Sequence, residues 1–356
     1  MTRGPTAPSV SVIVPTFRRP GLLVEALRSL QAQDLTDWEA LVIDDGSSDA
    51  TRALAEGFAD PRIRYLEQAH AGRSIARNRG LTSARGSYIA LLDDDDLYLP
   101  GKLALEATFL QAHSAVDLVG TGVSVEGALG PVGTWEPWRS RSAPSLLGLL
   151  LDGNGFLTCS VLFRRQVLNR MDHWFDPELE WAEDADFFLR MAAAGAHMVW
   201  LHHVTAVYRL RRRPLNCLLT QRAAYRRVLE KLLARADAPP HVRERRSTIL
   251  SRFHLMSACR WYALGQVSAA QRDLLHALLL LPGLGRAGAD ATNFLESVTR
   301  TAADPLWVSQ TPRAYVDFVF DHLPSPLRGL ESLRNCAHVA CAAPSKINPQ
   351  SGGAAP

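Results

Sequence analysis

Tyr88-Ile-Ala-Leu-Leu-Asp-Asp-Asp-Asp96 is five apolar residues without polar alternation, stopped by four carboxylates. An unbroken apolar run of this length predicts a strand buried on both faces, as in a parallel sheet covered by helices. Upstream, residues 73–84 carry a helical pattern that ends near Gly86, and Ile63-Arg-Tyr-Leu66 reads as a short strand. Residues 50–58 predict another helix, preceded by the apolar run Trp38–Ile43 and the turn Asp44-Asp45-Gly46-Ser47-Ser48-Asp49. Further back, Pro20 suits the first turn of a helix carrying Leu23, Ala26, Leu27 and Leu30 at helical spacing. Residues 9–15, SVSVIVP, form the first strand. Strand alternating with helix predicts an α/β fold with a parallel sheet and right-handed crossovers. In such sheets ligands bind at the carboxyl ends of strands, so Thr16-Phe17, Asp44-Asp45 and Asp93–Asp96 should gather along one edge.

A second block follows. Residues 153–160 read as a loop entering a strand, Glu178–Ala194 as a helix stopped by Gly195, and 197–201 and 205–210 as two strands. Residues 120–158 carry no readable signal. Beyond Pro214 the chain is rich in helix formers, and its Pro/Gly/Ala/Ser-rich end, from about residue 342, is expected to be disordered. The expected organisation is a flexible 1–8, an α/β domain over 9–213, a helical region over 214–341 and a tail over 342–356. Within the helical region Trp261, Gly265, Ala270, Leu274, Ala277 and Pro282 fall at spacings similar to one tetratricopeptide repeat, which predicts a helical hairpin.

Composition narrows the class. Of 356 residues, 47% are hydrophobic and 21% charged, which excludes a mostly disordered chain, a collagen-like repeat and a disulfide miniprotein. Five scattered cysteines without a C-x-x-C argue against a disulfide framework or structural zinc and for a reducing compartment. The start lacks an apolar core of signal-peptide length, and the longest apolar stretch, Leu274–Leu281, falls short of the ~20 residues that cross a bilayer. The expectation is a cytoplasmic chain that can sit peripherally at the inner face of the membrane. The net charge of +3 hides an asymmetry: residues 1–204 carry 18 basic and 26 acidic side chains, and residues 205–260 carry 14 basic and three acidic. The basic stretch, 209–260, is a candidate contact for an anionic membrane, and otherwise a solvated arginine-rich helix face. No nucleic-acid partner is expected.

The candidate chemistry lies in three places. Four adjacent carboxylates repel one another, and a hard divalent cation, Mg²⁺ or Mn²⁺, removes that penalty. Arg73 and Arg77, four residues apart, share a helix face, and guanidinium forks suit a diphosphate. Glu183-Asp184 stands at a helix start, where the helix dipole stabilises a carboxylate and where one facing the cleft can act as a general base.

Six segments together resemble the family 2 glycosyltransferases, inverting nucleotide-sugar-dependent enzymes of the GT-A fold. They are SVIVPTFRRP (11–20), ALVIDDGSSDAT (40–51), AGRSIARNRGLTSARGSYIALLDDDD (71–96), SVLFRRQVL (160–168), FDPELEWAEDADFFLRMAAAG (175–195) and VYR (207–209). The resemblance covers about residues 9–210. It implies a GT-A domain, a Rossmann-like and mostly parallel sheet, followed by the all-helical region. It also implies that Pro15 and Thr16 lie by the nucleoside and that Asp44 or Asp45, with Asp45 preferred, holds the base, typically uracil. Arg73 or Arg77 would contact the base or diphosphate. Asp93 and Asp95 match the D-x-D pattern: Asp95 would bind the metal and Asp93 the ribose or the metal, with Asp94 beside them at the donor. Asp184 would be the catalytic base, with Glu183 next to it. Two departures stand out. The histidine common after Tyr-Arg is replaced by Leu210-Arg211-Arg212-Arg213, so an arginine here can take over the diphosphate, and His70 stands where an asparagine is usual.

The implied function is metal-assisted transfer of a sugar from a nucleotide-diphosphate donor, a UDP-sugar by expectation, to a hydroxyl of a glycan or lipid-linked acceptor. A bacterial role in cell-envelope polysaccharide synthesis follows from the resemblance alone. The alternative is a non-catalytic nucleotide-sugar-binding scaffold acting through the helical region. A sugar nucleotidyltransferase or a dehydrogenase is disfavoured, because Pro15-Thr16-Phe17-Arg18-Arg19 is no glycine-rich phosphate loop. An aspartate-nucleophile phosphatase would leave the arginine helix and Glu183-Asp184 unexplained.

Overall fold

The computed structural model describes residues 7–140, 145–152, 155–211, 215–281, 298 and 312–322. The predicted disordered tail at 342–356, residues 1–6 of the predicted flexible start, and Arg212 and Arg213 lie outside these residues. Contacts divide the chain into a first unit, residues 1–244, and a second, residues 245–356.

The first unit is built on a nine-stranded sheet. Strands β1 (Val10–Thr16), β2 (Trp38–Asp44), β3 (Ile63–Glu67) and β4 (Tyr88–Leu91) are parallel in the order β3-β2-β1-β4. They alternate with helices α1 (Pro20–Gln31), α2 (Thr51–Glu56) and α3 (Arg73–Ser83). The apolar residues of β1, β2 and β4 are buried throughout, as their unbroken runs require. Pro20 opens α1, and Leu23, Ala26, Leu27 and Leu30 form its buried stripe. Helix α3 lies close on β1 because position 80 is glycine: a Cβ there would stand 2.5 Å from the Ile13 side chain.

After β4 the sheet becomes mixed. Strand β5 (Leu97–Tyr98) and helix α4 (Lys102–Ala112) lead to β6 (Leu118–Gly127), and β7 (Gly130–Trp135) turns back on β6 as a hairpin. This is the stretch without a sequence signal. Helices α5 (Pro137–Ser140) and α6 (Leu146–Asp152) follow, and then β8 (Val161–Arg164), antiparallel to both β4 and β6. Two expectations need correction. The helix predicted over 178–194 begins at Glu183, as α7 (Glu183–Ala193). Asp176 pins the residues before it into a turn, its carboxylate and carbonyl accepting from the Glu178 and Leu179 amides at 2.9 and 3.2 Å. The two strands predicted at 197–201 and 205–210 are a single strand, β9 (Met198–Arg209), parallel to β6. Pairing passes from Gly120↔Trp200 to Gly122↔Val204, so Leu201, His202 and His203 between them form a bulge, which a periodicity of two reads as a break.

Under this half of the sheet lies a buried ion pair. Lys102 and Glu106 on α4 are both fully buried, with Nζ donating to Oε1 at 2.6 Å, and Thr121 and Thr205 add hydrogen bonds to the same oxygen at 3.2 and 3.3 Å. It ties α4 to β6 and β9 immediately behind the acidic turn.

Helices α8 (Leu215–Leu233) and α9 (Pro240–Glu244) belong to the first unit. In the second unit α10 (Arg246–Ala263) and α11 (Val267–Leu279) form the predicted hairpin, with Trp261, Ala270, Leu274 and Ala277 buried. Helix α12 (Pro312–Asp321) packs on α10, where the Tyr315 hydroxyl donates to the Leu255 carbonyl at 2.9 Å. Among the described residues no helix is long and apolar enough to cross a membrane.

Candidate functional site

The register places the site. Thr16 ends β1 opposite Asp44, and the Leu92 amide still donates to the Ile13 carbonyl at 3.0 Å, so Asp93–Asp96 emerge beside Thr16. The Asp45 amide in turn donates to the Thr16 carbonyl at 2.9 Å. The three polar turns therefore meet at the carboxyl edge of the sheet, with Pro15 half-buried among them.

The four aspartates have different fates. Asp93 accepts from Arg77 Nη2 at 2.7 Å and from the Thr158 hydroxyl at 3.0 Å. Burial raises its carboxyl, but Arg77 outweighs this and holds it below the ordinary carboxylate range. Asp94 turns away from its neighbours, accepting from the Thr16 hydroxyl at 2.8 Å and from Arg19 at 3.0 Å. Burial pushes it up to about 6. Asp95 is held by Arg19 at 3.2 Å and Arg211 at 2.8 Å. Asp96 is fully buried, one oxygen accepting from the Arg209 amide at 3.0 Å, and burial pushes its carboxyl well above the ordinary range. Oxygens of Asp93, Asp95 and Asp96 lie within 4.8 Å of one another. Sequence reasoning named the first two and left out Asp96, although it stands in the same run.

Asp44 and Asp45 diverge as well. Asp44 is fully buried and committed to the fold, accepting from the Ser47 amide at 2.8 Å and from the Tyr65 hydroxyl. Asp45 organises the loop ahead of α3, accepting from Gln68 Nε2 at 2.7 Å and from the Ala71 and Gly72 amides at 2.9 and 2.8 Å. Its remaining partner is His70, with Nδ1 at 2.7 Å. The His70 ring stacks on Phe17 with centroids 4.2 Å apart. Gly46 permits this approach: it has φ +84°, and a Cβ there would stand 2.9 Å from the His70 amide nitrogen. Arg19 and Thr158 were not singled out as site residues from sequence, and no spacing distinguished them; Phe17 entered only with Thr16, as the turn after the first strand.

Arg77 is the centre of the cluster. Its side chain is buried and bridges Asp93 and Glu183, each at 2.7 Å. Arg73 is more exposed, lying 3.6 Å from the same Glu183 oxygen and over the Trp181 ring at 4.8 Å. Glu183 is thus occupied by arginines. Asp184, half-buried beside it, accepts from the Ala185 amide at 2.8 Å. Burial, with the nearby Glu183 charge, pushes the Asp184 carboxyl up to about 6. Adjacent positions of a helix point in different directions, so the two acids face different neighbours; Ala182, just before α7, has φ +61°, a left-handed conformation unusual for a residue with a Cβ.

Comparison with known proteins bears on the family and the fold. Residues 11–171 match the family described as Glycosyl transferase family 2. The uncharacterized glycosyltransferase EpsJ of Bacillus subtilis is 30% identical over 213 residues, 57% of this chain and 61% of its own length. The GalNAc(5)-diNAcBac-PP-undecaprenol beta-1,3-glucosyltransferase of Campylobacter jejuni is 43% identical over 101 residues, 27% of this chain and 33% of that protein. The chain therefore spans less than two thirds of either relative. Among solved structures, S. aureus TarS 1–349 in complex with UDP-GlcNAc has a TM-score of 0.56 at 20% identity, covering 93% of this chain and 87% of that one. The mannosyltransferase PcManGT from Pyrobaculum calidifontis, in complex with GDP-Man and Mn²⁺, also has a TM-score of 0.56 at 20% identity, covering 92% and 87%. These structural likenesses establish the fold.

Proposed function

The chain belongs to glycosyl transferase family 2, and we propose that it transfers a sugar, with inversion, from a nucleoside-diphosphate donor to an acceptor hydroxyl. One observation carries the proposal: Asp184, whose carboxyl burial raises to about 6, stands next to Glu183, which Arg77 joins to Asp93 in the acidic turn, where Arg211 reaches Asp95.

The chain's own residues account for each requirement. Asp45 and Phe17 offer a hydrogen-bonding edge and a ring face to a planar base, which would replace the His70 ring now stacked there. Arg73, at the start of α3, is the more exposed of the pair and is available to a donor, whereas Arg77 is buried and positions Asp93 and Glu183. Arg19 and Arg211 converge on Asp95, where they can turn to a diphosphate and offset its charge. The donor set of Asp93, Asp95 and Asp96 suits a hard divalent cation, since its oxygens already lie within 4.8 Å of one another. Mg²⁺ or Mn²⁺ bound there would neutralise the departing diphosphate. Asp184 takes the proton from the acceptor hydroxyl as that oxygen bonds to the anomeric carbon. The bond from that carbon to the diphosphate breaks on the opposite face, so one displacement inverts the centre. Glu183 is instead engaged by Arg77 at 2.7 Å and Arg73 at 3.6 Å.

A glycan or a lipid-linked glycan is the acceptor class we propose, with peripheral contact to an anionic membrane through the basic stretch at 209–260. The relative that acts on an undecaprenol-linked glycan supports this reading. The test is Asp184→Asn, assayed for donor binding and for transfer or slow donor hydrolysis. Binding should persist while turnover falls about 10²–10⁴-fold. Undiminished turnover would overturn the assignment, and a scaffold would show none in either protein.

A further inference from the structure

The second unit holds a polar cluster of its own. His254, on α10, is buried and its Nδ1 lies 2.8 Å from Asp273 Oδ1 on α11. The other Asp273 oxygen accepts from Trp261 Nε1 at 2.9 Å. His276 follows Asp273 by three residues on α11, so the two share a helix face. The His276 ring stands 5.1 Å from the His254 ring, and one ligand atom from each of the three residues lies within 4.8 Å of the others. We propose that His254, Asp273 and His276 form a transition-metal site, of the class that takes Zn²⁺, joining α10 to α11.

Packing alone explains two of the three residues. A buried carboxylate needs partners, and His254 with Trp261 supplies them. His276 is exposed and contributes nothing to that requirement, yet it brings a second imidazole to the same place. Two imidazoles and one carboxylate make a three-ligand set that leaves a fourth position open, and imidazole selects Zn²⁺, Co²⁺ or Ni²⁺ over Mg²⁺. The Trp261 N–H fixes the carboxylate's orientation from outside the ligand set, as outer partners do in metal sites. The position also favours a cation, because His276 lies in the last turn of α11, where carbonyls point outward. Closure requires movement of the exposed His276 side chain and release of the proton that His254 and Asp273 share. The bound ion would fasten the hairpin at its polar seam, so it would act on the stability of this unit and leave the acidic turn of the first unit untouched.

The experiment uses the full chain without a polyhistidine tag, stripped with chelator and titrated with Co²⁺ and then Zn²⁺. Tetrahedral nitrogen and oxygen ligation gives Co²⁺ an intense visible absorption, whereas an all-oxygen site such as the acidic turn gives only a weak one. One intense-band site per chain is expected, displaced by Zn²⁺, with a rise in unfolding temperature. The band should be kept in Asp95→Asn and lost in the exposed-site variant His276→Ala. Trp261→Phe should weaken binding roughly 10–100-fold. Absence of the band, its survival in His276→Ala, or its loss in Asp95→Asn would each overturn the proposal.

Discussion

Asp184 and Arg77 show how one site sets two ionisable groups to different tasks. Burial makes the Asp184 carboxyl costly to ionise, and so keeps it basic enough to accept a proton near neutrality. Turnover should therefore fall as pH drops through about 6, as a pH–rate profile at saturating donor would show. The stability consequence has the opposite sense. A carboxyl whose folded pKa lies above its unfolded value favours the fold when protonated, and that contribution is lost as pH rises from about 4 to about 6. Asp184→Asn should accordingly unfold at a higher temperature than the wild type at pH 7.5, and a lower one would contradict this account of burial. Arg77 is the reverse case. Its guanidinium is buried between Asp93 and Glu183, so Arg77→Met leaves two carboxylates facing each other. A loss of about 3–5 kcal/mol in chemical denaturation is expected, together with loss of donor binding. A change within 1 kcal/mol would show that the bridge is not formed.

At the scale of elements, the close packing of α3 on β1 brings Arg73 and Arg77 to the strand ends. Gly80→Ala would drive a Cβ to 2.5 Å from Ile13, and should cost about 1–3 kcal/mol while weakening donor binding in parallel. Thermal unfolding and a donor titration on the same sample check both halves. Strands β1, β2 and β4 were legible because each is buried on both faces and stops at a Pro, Asp or Gly turn, and the half-exposed edge strand β3 because Ile63, Tyr65 and Leu66 make a short apolar run. So were the three turns they deliver to one edge, and the Glu183-Asp184 pair. The β6–β7 hairpin was not. Gly120 and Gly122 break its apolar pattern, and their reason lies elsewhere in the chain: a Cβ at Gly120 would meet Phe156 and Trp200 at 2.5 Å. The division of labour within Asp93–Asp96 was equally hidden. Four identical residues in a row carry no local mark of which one the Thr16 hydroxyl will draw aside. Thr158, which supports Asp93 from 65 residues away, had none either.

For the whole molecule, the charge is distributed by region. Residues 205–260 carry 14 basic side chains against three acidic ones. Exposed Arg226 and Arg227 on α8 belong to this stretch, and Leu215 and Leu219 are exposed on the same helix. If this segment meets an anionic surface, vesicles containing phosphatidylglycerol should sediment the protein and vesicles of phosphatidylcholine should not. Binding should weaken steeply between 0.05 and 0.5 M salt, since each basic residue contributes only about 1 kcal/mol within a Debye length of about 10 Å. Equal binding to both vesicle types, or to neither, would remove the membrane from the account.

The central claim is that the strand-end cluster binds a nucleoside diphosphate with the help of a divalent ion. The most direct measurement is calorimetric titration of the purified chain with UDP, GDP, dTDP and CMP, each in Mn²⁺ and in EDTA. The account predicts one-to-one binding of one nucleoside diphosphate that is strong in Mn²⁺ and lost in EDTA and in Asp95→Asn. Binding of none of them, or binding indifferent to metal and to Asp95, would contradict it.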